Sequence, residues 1–222
     1  MKLLKYNDLP QGGFAGLRER RFVMDEKLFK HRKNPEAFNG IGRFVYLADA
    51  NFMPHGETGM HNHREIDVIS VMIDGCIKHA GSLEHGQELK AGSVQVQRAG
   101  SAGFSHNEIN PDATENHMIQ IWALPDASGE PAGYKFYDLV LGEQTLVYGG
   151  NKNQAETFDS KTCITVTKLK PNQIVEHQGE CMAYIATGEG FVGEEKITPK
   201  TLIKTNNLVF KALNQVFLIL IH

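Results

Sequence analysis

The chain has 222 residues, of which 41% are hydrophobic and 22% charged, and a formal net charge of −3 with its 10 histidines counted as neutral. This composition is typical of a globular protein with enough apolar residues for a sizeable core. It excludes a strongly basic nucleic-acid-binding protein, and the longest apolar run, Val216 to Ile221, is far too short to span a bilayer. We therefore expect one large domain or two small ones, with neither nucleic acid nor membrane as a direct partner.

The N-terminal segment and the cysteines together predict a cytoplasmic location. The segment MKLLKYNDLPQGG has no apolar core and no small-residue cleavage site, so it does not resemble a secretory signal. Cys76, Cys163 and Cys181 are odd in number and far apart. That spacing is not typical of a disulfide framework or of a CxxC zinc site, and it fits a reducing compartment.

A segment rich in basic residues follows the N-terminus. Its positively charged or titratable members are Arg18, Arg20, Arg21, Lys27, Lys30, His31, Arg32 and Lys33. They are interleaved with acidic and apolar residues rather than gathered in one block. We interpret the segment as a solvated surface.

The rest of the chain reads as short β-strands in close succession. Runs rich in Val, Ile, Phe, Tyr and Thr alternate with Gly, Asn, Asp and Pro, which is typical of strands and turns. The predicted strands are Arg43 to Leu47, Val68 to Ile73, Ser93 to Gln97, His117 to Ala123, Cys163 to Leu169, Met182 to Ala186 and Val216 to Ile221. Asp74-Gly75 lies between VISVMI and CIKH and predicts a β-hairpin. No amphipathic helix of three turns is predicted, so the pattern favours a β-sandwich or β-barrel.

The two halves of the chain show a weak internal similarity. In each half a Pro-containing turn precedes a histidine, an apolar strand and a turn glycine; these are Pro54, His61 and Gly75 in the first half and Pro171, His177 and Gly188 in the second. If this similarity reflects a repeat, the chain consists of two β-barrels. The Gly- and Pro-containing segment PDASGEPAG, residues 125–133, is the best linker between them.

Two short motifs predict a metal site. His61-Asn62-His63 and His106-Asn107-Glu108 each place two ligand-type side chains at positions i and i+2, which share one face of a strand and lie about 6.6 Å apart along it. If the two strands are neighbours, four side chains surround one point. Three imidazoles and one carboxylate suit Fe, Mn, Co, Ni, Cu or Zn rather than Ca or Mg. An octahedral ion would keep two positions open, and open positions favour catalysis.

The same residues resemble the motifs of the pirin family of bicupin proteins. HNHREID (His61 to Asp67), followed by VISVMIDG, is similar to the family's HPHRGFE, apolar strand and glycine turn. AGSVQVQ (Ala91 to Gln97) and AGSAGFSHNE (Ala99 to Glu108) are similar to the family's second motif, and MIQIWALP (Met118 to Pro125) to the strand after it. The resemblance is dense between residues 54 and 125 and faint after them.

Some positions depart from the family pattern. Asp67 stands where pirins usually have Glu, while Ala91 and Ser93 replace a Pro and an Asp. Gly133-Tyr134-Lys135-Phe136 only loosely matches a GYEQ-like segment of the family. The entrance of the substrate site is therefore expected to differ from that of known pirins.

The resemblance implies a fold, a cofactor and an activity. It implies two stacked cupin (jelly-roll) barrels, with a metal-binding domain at residues 1–125 and a metal-free domain at 126–222. It also implies one divalent ion, Fe(II) in the first place, held by His61, His63, His106 and Glu108. The implied activity is a quercetin 2,3-dioxygenase-like opening of flavonols by dioxygen, in which Glu108 accepts the proton of the flavonol 3-hydroxyl.

Two other functions remain open at this point. Some pirins act as iron-containing redox sensors that bind a regulatory protein partner, without turnover. The site could also hold zinc or no ion and leave a scaffold without activity. The family includes monomers, and no interface stripe is evident, so a monomer is expected.

Other residues near the motifs receive more ordinary interpretations. We expect hydrogen-bonded or surface histidines at His55, His79, His85 and His117, and core positions for Phe44, Phe52, Phe104 and Trp122, with Phe104 the best candidate for a substrate wall. Arg64 and Asp67 are expected to orient the ligands from outside. Gly100 and Gly103 would allow a close turn before His106. In the second half, His177 lacks a second histidine at i+2, and we expect a structural role there.

Overall fold

A computed structural model describes residues 1–83, 86–152 and 154–222 of the chain. Almost all regular structure in these residues is β-strand. The first strands are β1 (Lys2–Lys5), β2 (Gly12–Phe14), β3 (Leu17–Met24), β4 (Phe44–Phe52), β5 (His61–His63), β6 (Asp67–Asp74), β7 (Cys76–Gly81), β8 (Glu88–Lys90), β9 (Ser93–Arg98) and β10 (Phe104–Ile109). They continue as β11 (His117–Ala123), β12 (Gly133–Asp138), β13 (Gln144–Gly150), β14 (Ser160–Leu169), β15 (Ile174–Thr187), β16 (Gly190–Val192), β17 (Glu195–Ile197), β18 (Thr201–Ala212) and β19 (Val216–Ile221).

The helical content of the described residues is small. Helix α1 (Glu26–Phe29) is a single turn, and 3-10 turns occupy Tyr6–Asp8 and Lys30–Arg32. Asp25 caps α1 by accepting a hydrogen bond from the backbone N–H of Lys27, which satisfies one of the free donors of its first turn. None of the helices in the described part of the chain is long and apolar enough to cross a membrane.

The chain divides into two compact units. One consists of residues 9–138, and the other combines residues 1–8 with residues 139–222. The N-terminal segment joins the second unit because β1 pairs with β18. The predicted boundary between residues 125 and 126 falls before β12, which the structure groups with residues 9–138.

The unit of residues 9–138 contains two sheets. The larger has the strand order β12-β9-β6-β11-β4-β3-β2, and the smaller has the order β5-β10-β7-β8. Strands of the larger sheet are apolar on consecutive residues, and β6 is buried from Asp67 to Met72. Part of the core of this unit is a cluster that includes Phe52, Met72, Ile77, Leu89 and Met118.

The turn at Asp74-Gly75 does not close a hairpin, so this prediction is wrong. Gly75 has a φ of 74° and the chain turns there as expected. However, β6 pairs with β9 and β11, whereas β7 pairs with β10 and β8. The turn therefore moves the chain from one sheet to the other. Its residue types determine a local reversal, and the partners of each strand are decided by long-range packing.

The basic segment is also more buried than predicted. Residues Leu17–Met24 form β3, which pairs with β4 in the larger sheet. Glu19, Phe22 and Val23 are buried in this strand. Only part of the segment is therefore the solvated surface that its charge pattern indicates.

The second unit is built on one sheet. Its strand order is β13-β14-β19-β15-β18-β16-β17, with β1 attached to β18. Its core includes Ile185, Ile203, Phe210, Val216 and Leu218. Among the described residues of both units, the three cysteines are free thiols rather than disulfides.

Candidate metal centre

Two antiparallel strands bring the predicted histidines together. Strand β5 pairs with β10 so that His61 lies opposite His106, and His63 lies opposite Phe104. A pair of residues directly opposite each other on one face has Cβ atoms about 5 Å apart, which lets both side chains reach the same point. The adjacency that the two motifs required is thus present.

The three imidazoles form a compact group of nitrogen donors. One nitrogen from each of His61, His63 and His106 lies within 4.8 Å of the other two. Nε2 of His61 and Nε2 of His106 are 3.1 Å apart. Nδ1 of His61 donates to the carbonyl oxygen of Gly59 at 2.9 Å, and this bond fixes the tautomer that leaves the Nε2 lone pair available.

Burial keeps the imidazoles of His63 and His106 neutral. It lowers the pKa of His63 to about 4, and the proximity of His61 lowers it further. Burial lowers the pKa of His106 to about 2, with smaller contributions from His63, His61 and His79. A neutral imidazole is the form that binds a metal ion.

Glu108 lines the same cavity as the three histidines, but its carboxylate does not join their group. It lies two residues after His106 on β10 and is buried. Ser70 donates to Oε1 at 2.8 Å and Gln95 donates to the same oxygen at 3.1 Å. Thr58 holds the backbone of Glu108 by exchanging hydrogen bonds with both its N–H and its carbonyl group.

The environment of Glu108 favours its protonated form. Burial raises the pKa of the carboxyl group to about 7, although the hydrogen bonds from Ser70 and Gln95 act in the opposite direction. Sequence reasoning did not identify Ser70 or Gln95. Their signal is a polar residue at a buried position within an otherwise apolar strand: Ser70 alone in VISVMI, and Gln95 alternating with valines in VQVQ. Buried polar side chains need a hydrogen-bond partner, and here the partner is the predicted ligand.

A cavity of about 200 Å³ opens beside the imidazoles. Its lining is mainly apolar and comprises Phe14, Leu17, Glu19, Arg21, Phe29, Tyr46, Thr58, His61, His63, His106, Glu108, Gln120 and Trp122. Small apolar cavities with a few polar groups are the usual form of small-molecule sites. Trp122, which was expected in the core, is half-buried: it packs against two core clusters and also lines the cavity.

Polar residues of β3 and β4 also line this cavity. The Glu19 carboxylate accepts from Nε of Arg21 at 2.7 Å and from the hydroxyl group of Tyr46 at 2.7 Å. The sequence interpretation had placed Arg21 on a solvated surface. The pattern that could have identified it is the apolar residues that follow it in β3, since they show that this strand is buried on at least one face.

The remaining predicted residues occupy supporting positions. Phe104 is buried with its ring 5.2 Å from that of His63 and 5.1 Å from that of His106, so it packs against the ligands and does not line the cavity. The His79 ring lies 5.5 Å from that of His106, and its Nε2 lies 2.8 Å from the carbonyl oxygen of Leu83. The buried Asp67 accepts from the backbone N–H of Ala99.

Four other histidines were singled out in the sequence. His117 pairs with the buried Asp49 at 2.7 Å, and His55 has a φ of 55° in a turn. His85 lies outside the described residues. In the second unit, His177 lies beside the C-terminal His222, with ring centroids 4.3 Å apart. Its partner thus comes from the end of the chain, where a search for an HxH motif could not find it.

The residues present fit a divalent transition-metal ion. Two ligand nitrogens at right angles, each about 2.1 Å from one ion, would be roughly 3.0 Å apart. The Nε2 atoms of His61 and His106 are separated by 3.1 Å, and within the described residues neither nitrogen has a hydrogen-bond partner other than the other one. Three imidazole nitrogens that converge at the wall of a cavity are donors suited to first-row transition metals.

Comparison with known proteins agrees with this picture. The fold and the histidine cluster define an all-β protein of the cupin type with a candidate metal centre. The family model described as Pirin matches residues 19–123. This part of the chain, slightly less than half of it, is similar to the pirin family.

Individual relatives show the same similarity. The quercetin 2,3-dioxygenase of Escherichia coli (strain K12) is 32% identical over 92 residues, which cover 40% of this chain and only 39% of that protein. The bacterial pirin YhhW of Escherichia coli, solved in complex with nickel(II), has a TM-score of 0.83 at 19% identity and covers 99% of this chain and 97% of its own. A quercetin 2,3-dioxygenase of Acinetobacter baumannii has a TM-score of 0.73 at 19% identity, over 100% of this chain and 85% of its own. The structural matches show the fold, and the predicted all-β bicupin fold is confirmed.

Proposed function

We propose that this chain is a metal-dependent dioxygenase that opens flavonols such as quercetin, with Fe(II) as its ion. The observation that carries the proposal is the group of three imidazoles at the wall of a largely apolar cavity, with the Glu108 carboxyl group lining the same cavity. The names of the relatives at about one third identity support the substrate class. The matched region covers only 39% of the Escherichia coli relative, so the activity itself belongs to the proposal.

In this proposal His61, His63 and His106 hold the ion and Glu108 is its fourth ligand. The bound ion would supply Lewis acidity toward an anionic oxygen of the substrate. Apolar and aromatic side chains of the cavity wall, such as Leu17, Phe29 and Trp122, would limit the access of water to that oxygen.

Glu108 is the proposed proton acceptor. Both hydrogen bonds that its side chain receives end on Oε1, and within the described residues Oε2 receives none. A pKa of about 7 is close to neutral pH, which is the range in which a carboxyl group can both take up and release a proton. Oε2 would accept the proton of the flavonol hydroxyl group, while Ser70 and Gln95 hold the other oxygen in place.

The test combines metal content with turnover. The protein is freed of metal with a chelator, reloaded with Fe(II) or Ni(II), and mixed with quercetin while absorbance and dissolved oxygen are followed. We expect one ion per chain and a loss of quercetin absorbance matched by consumption of oxygen. Glu108→Gln should lower the rate at least about a hundredfold, which is the usual contribution of a general base.

Two histidine variants control for the site. His63→Ala should lower metal affinity by more than about tenfold, because one ligand is lost. His177→Ala removes a histidine of the second unit and should leave both metal content and turnover unchanged. A chain fully loaded with each metal that consumes no oxygen with quercetin would refute the proposed reaction, whereas equal metal loading in His63→Ala would refute the proposed site.

A further inference from the structure

We propose that Glu19, Arg21 and Tyr46 form a second recognition site in the cavity, where Arg21 donates hydrogen bonds to an acceptor oxygen of an aromatic substrate. The three residues belong to β3 and β4 and line the same cavity as the histidines. The inference rests on the proposed function for the class of substrate. The inference adds Arg21 as the residue that would distinguish a polyhydroxylated aromatic molecule from one without these ring hydroxyl groups.

The first step is the buried carboxylate of Glu19. Its side chain is only 3% exposed, and a buried charge is stable only when it is paired and hydrogen-bonded. Oε1 of Glu19 accepts a hydrogen bond from Nε of Arg21 at 2.7 Å and lies 2.6 Å from Nη2 of the same side chain. Oε2 accepts a hydrogen bond from the hydroxyl group of Tyr46 at 2.7 Å. Glu19 is thereby fully engaged and holds both partners in fixed orientations.

The second step is the donor capacity that remains on Arg21. A guanidinium group has five N–H donors in one plane; the contacts with Glu19 use two of them, and Tyr46 is a further side-chain hydrogen-bond partner of the group. This leaves two of the five donors beyond these contacts. The Arg21 side chain is 37% exposed and lines the cavity, so these donors are available to a molecule that enters it.

The third step is the aromatic wall between Arg21 and the metal centre. The ring of Trp122 lies 5.7 Å from that of His63 and stacks on that of Tyr46 at 4.3 Å. Phe29 stacks on Trp122 at 6.3 Å. Tyr46 connects this wall to Glu19 through its hydroxyl group. A flat aromatic molecule that reaches the histidines therefore lies along rings that lead to Arg21.

Electrostatics keep this arrangement intact at neutral pH. Burial and the Glu19 carboxylate raise the pKa of Tyr46 well above its usual value, so its hydroxyl group stays protonated and donates. Burial acts to lower the pKa of Arg21, but the contact with Glu19 outweighs this and raises it. The Glu19–Arg21 pair is neutral as a whole, which suits a phenolic oxygen better than a fully charged ligand.

The experiment compares two flavonols that differ in their ring hydroxyl groups. Binding of quercetin and of 3-hydroxyflavone is measured by calorimetric titration of the nickel(II)-loaded chain under argon, so that no oxygen is consumed. The quenching of Trp122, the only tryptophan in the chain, provides a second reading. We expect Arg21→Lys and the charge-neutral pair of substitutions Glu19→Gln with Arg21→Met to raise the Kd for quercetin about tenfold or more. Both should leave the Kd for 3-hydroxyflavone within about twofold of the unsubstituted chain.

A matched control comes from the same strand. Arg18 lies on β3 with an exposed side chain, pairs with Glu115 at 3.6 Å and does not line the cavity. Arg18→Met should change neither Kd. If the Arg21 variants leave the quercetin Kd unchanged, or weaken both flavonols equally, Glu19 and Arg21 are a structural ion pair and the inference is wrong. Failure of the unsubstituted chain to bind either flavonol would also overturn it.

Turnover separates this inference from the proposed function. Oxygen consumption with quercetin in the unsubstituted chain, together with unchanged binding in the Arg21 variants, would reject the recognition site and keep the dioxygenase. Selective loss of quercetin binding in a chain without turnover would keep the recognition site and reject the dioxygenase.

Discussion

Burial acts on the titratable residues of the metal centre in one direction, toward the neutral form. It lowers the pKa of His63 and His106 to about 4 and about 2, and it raises the pKa of Glu108 to about 7. The metal-free centre therefore carries little charge of its own between these values. An ion that binds to it would meet neutral nitrogens, and a carboxyl group that ionises near neutral pH.

The raised pKa of Glu108 predicts a pH-dependent change in the stability of the metal-free chain. A carboxyl group whose pKa rises from 4.5 in the unfolded chain to about 7 in the folded one stabilises the fold below pH 4.5. This contribution disappears as the pH rises to about 7, because a buried charge then forms. The free energy of unfolding of Glu108→Gln, minus that of the unsubstituted chain, should thus grow by about 3 kcal/mol between pH 4.5 and pH 8. Urea unfolding at a series of pH values, in the presence of a chelator, measures this difference.

The exposed Glu115 provides the control for this measurement. Its side chain is 47% exposed, so Glu115→Gln should give a difference that changes little over the same range. If the free energy of unfolding of Glu108→Gln, plotted against pH, stays parallel to that of the unsubstituted chain, Glu108 ionises in the folded chain as it does in water.

Single residues of the candidate site were predicted from the sequence where they belong to a short motif. The spacing within the two motifs, together with the resemblance to pirins, predicted that His61, His63 and His106 meet, and the structure brings their nitrogens together. The roles of Ser70 and Arg21 were not predictable in this way. The role of Ser70 depends on Glu108, which lies 38 residues away, and that of Arg21 depends on the shape of the cavity. Local patterns identify faces of strands, and the partner of a buried polar group is decided by the folded chain.

At the scale of elements, the pairing of β5 with β10 depends on a close backbone contact. Gly103, just before β10, has a φ of 73°, and a Cβ atom there would lie 2.6 Å from the carbonyl oxygen of His63. Only glycine tolerates both conditions without a shift of the chain. Since His63 and His106 belong to these two strands, the same contact sets the spacing of the ligands.

Gly103→Ala is therefore expected to affect both stability and metal binding. The left-handed backbone alone should cost about 1 kcal/mol, and the clash with His63 should add at least as much again. Gly129→Ala is the matched control, because Gly129 has a φ of 85° but no atom within 4 Å of the added Cβ. We expect the control to lose only the backbone contribution in urea unfolding and to keep its nickel(II) affinity. Equal metal affinity in both variants would contradict the role assigned to the Gly103 contact.

Strands were predicted well where their apolar runs were uninterrupted. The predicted His117 to Ala123 and Val216 to Ile221 match β11 and β19 at both ends. Pairing was predicted less well, because the turn after β6 leads into the other sheet. The short strand β2 and the polar strand β3 were not predicted. Their residue types reflect positions at the cavity and the surface more than strand propensity.

At the scale of the whole molecule, the position of β12 bears on the division of the chain into units. The sequence predicted a boundary at residues 125–126, because Pro and Gly cluster in the segment that follows. The structure places β12 after this segment and pairs it with β9. Tyr134 of β12, for example, lies opposite Gln97 of β9. Composition identified an irregular segment correctly, but a loop within a unit and a linker between units share the same composition.

The last prediction concerns which fragment retains the metal centre. A fragment of residues 9–138 contains all strands of the first unit, and we expect it to fold and to bind one nickel(II) ion per chain. A fragment of residues 9–125 lacks β12, which would expose the edge of β9 and remove the hydrogen bond between the Tyr134 hydroxyl group and Gln95, the residue that donates to Glu108. It should aggregate or unfold at a lower urea concentration and bind nickel(II) more weakly. Circular dichroism and metal analysis of the two fragments measure the difference. If the fragment of residues 9–125 is as stable and binds nickel(II) as tightly as the longer one, the domain ends at residue 125 as the sequence predicts, and β12 contributes nothing to the site.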